Sequence, residues 1–139
     1  MTEFTLIPAS GATLPASPFQ ARHLIGGDWQ DSADYAVTER FSPSHGIVAS
    51  RAAKGGKAEA EAAIAAARAA FDDGRWSRQS GKARAAVLLK VADLIEANVE
   101  RMALLETLES GKPITQSRGE IGGAADLWRY SASLARTLH

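Results

Sequence analysis

Three glycine-lysine pairs, Gly56-Lys57, Gly81-Lys82 and Gly111-Lys112, raise the possibility of a phosphate-cradling loop. Such a loop needs a Ser or Thr after the lysine to hold magnesium, within a longer glycine-spaced frame. Ala58, Ala83 and Pro113 stand in that position, so all three pairs read as glycines at turns or helix ends. Gly119-x-x-Gly122-Gly123 is not a dinucleotide fingerprint either, because no strand precedes it. The histidines His23, His45 and His139 lie far apart, and no pair has metal-ligand spacing on a helix. His45 falls in a turn and offers no basis for a Ser/His/acid arrangement. The chain has no cysteine, which removes disulfides, thiolate metal sites and a cysteine nucleophile. Glu106, Glu109 and Glu120 fall on helices, where a solvated face is the ordinary role. Trp29, Trp76 and Trp128 are spaced for packing rather than for a stacking platform. From the residues alone there is no catalytic constellation.

The elements that would position these groups are legible from local signals. Leu24-Ile25, Gly26-Gly27 and Asp28-Trp29 predict two short strands around a two-residue turn, with glycine supplying positive φ. A second pair of strands is predicted over 37–41 and 47–52, joined by Ser42-Pro43-Ser44-His45-Gly46. Helix follows to the end of the chain. The stretch 57–72 spaces Ala60, Ala63, Ile64, Ala67, Ala70 and Phe71 at three and four residues, and its alanine content gives it a slim face. Ser80 is a predicted cap for a helix whose stripe is Val87, Leu88, Val91, Leu94 and Ile95, with a break at Asn98. A third helix carries Met102, Leu105 and Leu108 and stops at Gly111, with Pro113 beyond. The last runs from about Thr115 toward Leu138 and presents Ile121, Ala124, Leu127, Trp128, Ser131, Leu134 and Ala135. Its Gly119, Gly122 and Gly123 suggest close packing against another backbone or a frayed start. The first 22 residues, with Pro8, Pro15 and Pro18, read as a poorly ordered arm.

Composition bounds the rest. At 139 residues the chain has the length of one domain. Its apolar share is 45%, but 28 of those residues are alanine. Leu, Ile, Val and Phe make up about one fifth of the chain, close to the lower limit for globular proteins. The helices therefore call for a surface beyond themselves to pack on. Sixteen basic and sixteen acidic residues cancel, which disfavours phosphate-backbone binding and hence nucleic acid. No apolar run approaches the ~20 residues of a bilayer span, and the opening residues lack a signal-peptide pattern. A cytoplasmic, reducing setting is expected.

Taken in order, Ile25-Gly26-Gly27-Asp28-Trp29, the Ser42–Gly46 turn and AAIAAARAAF (62–71) are followed by LLKVADLIEANVERMALLETLESGKPI (88–114) and WRYSA (128–132). This series closely resembles the amino-terminal part of NAD(P)-dependent aldehyde dehydrogenases, from about residue 23 to the end, and ETLESGKP is its most specific piece. Ser42 and His45 depart from the Asn and Thr more usual in the family, and Ile47 stands where an acid is common.

The resemblance implies an α/β, Rossmann-like family fold. Residues 23–139 would be the first half of the cofactor-binding domain, mostly helical, with two short hairpins and about four helices. It also implies oxidation of an aldehyde to a carboxylic acid with NAD or NADP through a cysteine thioester, in full-length members that are homo-oligomeric. The nucleophile, the general base and the cofactor contacts lie downstream of residue 139 in the family, so no catalytic and no cofactor-binding residue is carried over. One minor site is: a structural monovalent cation held by backbone carbonyls at Arg40 and Phe41 and by the Glu109 carboxylate, since oxygen ligands suit a hard ion. Arg40 replaces a small residue common there, and its side chain is placed to compete for Glu109. The rival expectation is a stand-alone small helical interaction module derived from such an enzyme. Whether the natural chain is longer is left open at this point.

Overall fold

The computed structural model describes residues 14–137. Its order is β1 (Phe19–Ala21), β2 (His23–Ile25), β3 (Asp28–Gln30), β4 (Val37–Phe41), β5 (Val48–Ala53), α1 (Lys57–Asp72), α2 (Gly81–Ala97), α3 (Val99–Ser110) and α4 (Ile114–Thr137). Both expected hairpins are present. In β2–β3 the register is Leu24 opposite Trp29, and the turn glycines hold φ of 65° and 101°. In β4–β5 the Ser42 amide donates to the Ile47 carbonyl at 2.8 Å, and Gly46 takes the left-handed conformation.

Beyond those hairpins, Phe19–Ala21 is a strand, although it falls within the span assigned to the N-terminal arm. It pairs in parallel with β5, Phe19 opposite Ser50 and Ala21 opposite Ala52, which makes a sheet of order β1-β5-β4. Parallel partners 31 positions apart leave no turn signal for a sequence to display, so a three-residue strand of this kind is invisible locally. The other residues of the arm up to 13, and His139, lie outside the described residues.

Helix boundaries follow the local chemistry. The Ser80 side chain accepts the Ala83 amide at 3.2 Å and starts α2. Asn98 ends α2 and opens α3, and Gly111 at φ 77° closes α3. The faces they bury differ from expectation. Against α4, helix α2 buries Ala85 and Ala92, whereas Val87 and Leu94 of the predicted stripe are 51% and 52% exposed. From α4 the buried residues are Ser117, Ala125 and Ala132, and Leu127 faces out. Small side chains let two helix backbones approach closely, and the bulky residues are displaced to the flanks.

The glycines of α4 do not make that approach: apart from the adjoining backbone of α4 itself, nothing lies within 4 Å of where a Cβ would stand at Gly119, Gly122 or Gly123. Gly81 makes it instead, at the other end of the pair. Cross-helix ion pairs tie α4 to both neighbours, Arg129 to Glu96 of α2 at 2.5 Å and Arg118 to Glu100 of α3 at 2.7 Å. Helix α1 buries none of its residues, and Ile64 is 69% exposed. Among the described residues the buried apolar set is six alanines and Leu108. This is a thin core with large apolar side chains left on its outside, as the composition implied.

Candidate functional site

An open groove of about 690 Å³ lies between the β1-β5-β4 sheet and helices α2 and α3. Its apolar wall includes Val91, Ile95 and Leu105, and its polar groups include Arg40, Ser50, Asn98, Arg101 and Glu109. The strands place them. Arg40 on β4 lies directly opposite Ser50 on β5, and such partners project to one face of the sheet. From that face the Ser50 hydroxyl donates to Glu109 Oε1 on α3, joining positions 59 apart in the chain. The Arg101 guanidinium lies over the Phe19 ring, 5.8 Å from its centroid.

Of the residues carried over for a cation, Arg40 and Glu109 thus line one groove. Phe41 is next along β4, beyond a register shift between Arg40 and Phe41, and is exposed. Arg40 has no ion pair among the described residues. Ser50 had no sequence signal as a site residue; only its place opposite Arg40 and below α3 gives it one.

The remaining chemistry-bearing residues serve the frame. His23 Nε2 lies 3.4 Å from Ser32 Oγ, which donates to the Ala36 carbonyl at 3.1 Å, a clasp holding β2 to the β3–β4 loop. His45 Nδ1 lies 3.0 Å from Ser42 Oγ within its own turn. Gly56 caps α1, Gly81 opens α2 and Gly111 caps α3, so the three glycine-lysine pairs are helix termini. Lys112 bridges Glu106 at 2.7 Å and Glu120 at 2.6 Å. Those two carboxylates hold its ammonium pKa above the usual value, with the hydrogen bond to Glu106 the larger influence. Glu59 accepts the Ala33 and Gly56 amides, each at 2.7 Å, and these bonds hold its carboxyl below the usual carboxylate range, Ala33 contributing most. Trp29, Trp76 and Trp128 sit on β3, in the α1–α2 connection and on α4, and all three are exposed, so they do not serve as the packing anchors their spacing suggested. Among the described residues no three His, Asp or Glu side chains gather as a metal cluster, and no helix is long and apolar enough to cross a membrane.

These contacts tie turns, loops and helix ends into one scaffold. Its lineage is readable by comparison. The model of the aldehyde dehydrogenase family matches residues 29–139. The chain belongs to the aldehyde dehydrogenase family. Similar family members include aldehyde dehydrogenase family 2 member B4 of Arabidopsis thaliana, 41% identical over 84% of this chain and 22% of that protein. The betaine aldehyde dehydrogenase of Bacillus subtilis is 36% identical over 81% of this chain and 23% of its own length.

Among solved family structures, an NAD-dependent aldehyde dehydrogenase from Sinorhizobium meliloti superposes with a TM-score of 0.89 at 43% identity, over 96% of this chain and 27% of that one. A betaine aldehyde dehydrogenase from Staphylococcus aureus, solved with NAD+, gives 0.79 at 34% identity over 83% of this chain and 23% of that one. The chain therefore spans about a quarter of the length of the aldehyde dehydrogenases it matches. The α/β family fold is that of these relatives, and the segment present here is mostly helical.

Proposed function

We propose that these residues are the amino-terminal scaffold of a cofactor-binding domain, in an enzyme that oxidises an aldehyde to a carboxylic acid with NAD or NADP. The dinucleotide accepts hydride in that chemistry. No residue of this chain is assigned to hold it, and with no cysteine the chain supplies no thiol nucleophile. Its own work is mechanical. The Ala-faced α2–α4 pair, the mixed sheet and the Glu59 and His23 clasps set the positions of outward apolar faces on α1, α2 and α4. The observation that carries the reading is the S. meliloti match: nearly the whole chain superposes at 43% identity on a little over a quarter of an NAD-dependent enzyme. Cytoplasmic location and homo-oligomeric assembly belong to the same reading.

The test is complementation. Incubated alone with NAD+ and an aldehyde, the 139-residue chain is expected to reduce no cofactor. Co-expressed with the S. meliloti enzyme lacking its matching first quarter, it is expected to restore dehydrogenase activity. Turnover by the chain alone, or failure of the pair to gain any activity, overturns the proposal. A rival role as a self-contained interaction module predicts a cooperatively melting monomer indifferent to the complementing piece.

A further inference from the structure

We propose that Arg40 supplies, from within the chain, the positive charge that balances Glu109 in the groove between the sheet and α3, so that no monovalent cation is taken there. A cation site of the kind the family resemblance implies needs converging oxygen donors, and nearby positive charge works against it. The residues present do not fit that requirement. Around the groove the charged side chains are Arg40, Arg101 and Glu109, two cations to one anion before any ion arrives. Antiparallel pairing sets Arg40 opposite Ser50, so the guanidinium rises from the face that carries the hydroxyl bonded to Glu109. That hydroxyl already donates to Glu109 Oε1, which occupies one of the carboxylate's lone-pair sites. A guanidinium has five donors and no acceptor, so Arg40 cannot ligate a cation through its side chain and repels one at close range. Among the described residues Arg40 forms no direct ion pair, to Glu109 or to any other carboxylate, so its charge acts on this groove through space. The inference concerns stability and ions alone and holds or fails independently of the dehydrogenase reading.

The test is thermal unfolding of the full 139-residue chain, followed by circular dichroism, in sodium, potassium and choline chloride at matched ionic strength. Ligand binding to the folded state raises the midpoint, and choline is too large for a carbonyl cage. The wild-type midpoints are expected to agree within about 1 °C. Arg40→Thr removes the charge and is expected to gain a selective rise of about 3–6 °C in sodium or potassium, lost again when Glu109→Gln is added. Arg40→Lys keeps the charge and should stay indifferent. A cation-selective rise in the wild type that Glu109→Gln abolishes overturns the inference, as does an Arg40→Thr protein that folds and gains nothing. If Arg40→Thr fails to fold in choline but folds in sodium or potassium, the inference is upheld. If it folds in none of the three salts, wild type and Arg40→Lys decide: indifference in both upholds the inference and a selective rise in either overturns it.

Discussion

A Cβ built on Gly81 would stand 2.2 Å from the carbonyl oxygen of Ala135, inside any van der Waals separation. The first turn of α2 and the last turns of α4 meet backbone to backbone at this point, and the alanines Ala85, Ala92, Ala125 and Ala132 continue the same close contact along the pair. Gly81→Ala is therefore expected to destabilise the chain by about 1–3 kcal/mol, because the helices must separate to admit one methyl group. Gly123→Ala on α4 meets open space and is expected to stabilise by up to about 1 kcal/mol through helix propensity. Urea denaturation of the two variants beside wild type checks both signs; a neutral Gly81→Ala would contradict the contact.

Leu108 is the one large apolar side chain among the fully buried set. Its truncation should open a cavity that the surrounding helices and sheet fill only in part. We expect Leu108→Ala to lose about 2–5 kcal/mol. Leu94→Ala, at a half-exposed position of the groove, should lose less than about 1 kcal/mol. Equal losses for the two would show that α2 packs by its leucines after all.

Glu59 ties the β3–β4 loop to the start of α1 through the Ala33 and Gly56 amides. Those bonds depress its carboxyl pKa in the folded chain below its usual 4.5. A depressed acid stabilises the fold above its unfolded pKa, and that contribution is lost as pH falls through the folded value. From neutrality down to about pH 5 the wild type should hold constant stability with respect to this group, then lose it below 4.5. Glu59→Gln should flatten that part of the profile. The difference between the two unfolding midpoints, followed from pH 7 to pH 3, isolates Glu59 from the other depressed acids, and a difference independent of pH would refute the assignment.

Helix α1 buries none of its residues, so its apolar side chains contribute little to the stability of this chain. Ile64→Lys is expected to change the unfolding free energy by no more than about 0.5 kcal/mol while reducing light scattering in concentrated solution, since an exposed apolar patch promotes association. In the complemented enzyme the same substitution should impair assembly. A large stability loss in the isolated chain would mean that α1 is packed in solution.

Ser80→Ala should cost about 0.5–2 kcal/mol, the usual loss for removing a side-chain acceptor from a helix start, and Ser80→Gly less. Here the geometry is the bond that Ser80 accepts from the Ala83 amide, and amide exchange at Ala83 reports it directly.

The sequence by itself determined what local chemistry determines. Glycines at 26 and 27 made a hairpin, Ser80 and Gly111 bounded helices, Asn98 divided two of them, and the missing cysteine ruled out a thiol nucleophile in these residues. The ETLESGKP stretch marked the family that residues 29–139 match. Each of these signals sits within a few residues of its effect. Tertiary structure alone decided that Phe19–Ala21 is a strand, that α2 turns its alanines rather than its Val87 and Leu94 toward α4, and that Ser50 reaches Glu109 across 59 positions. Those outcomes depend on which surfaces meet. A helix with alanine on one flank and leucine on the next can bury either, and the partner's shape chooses.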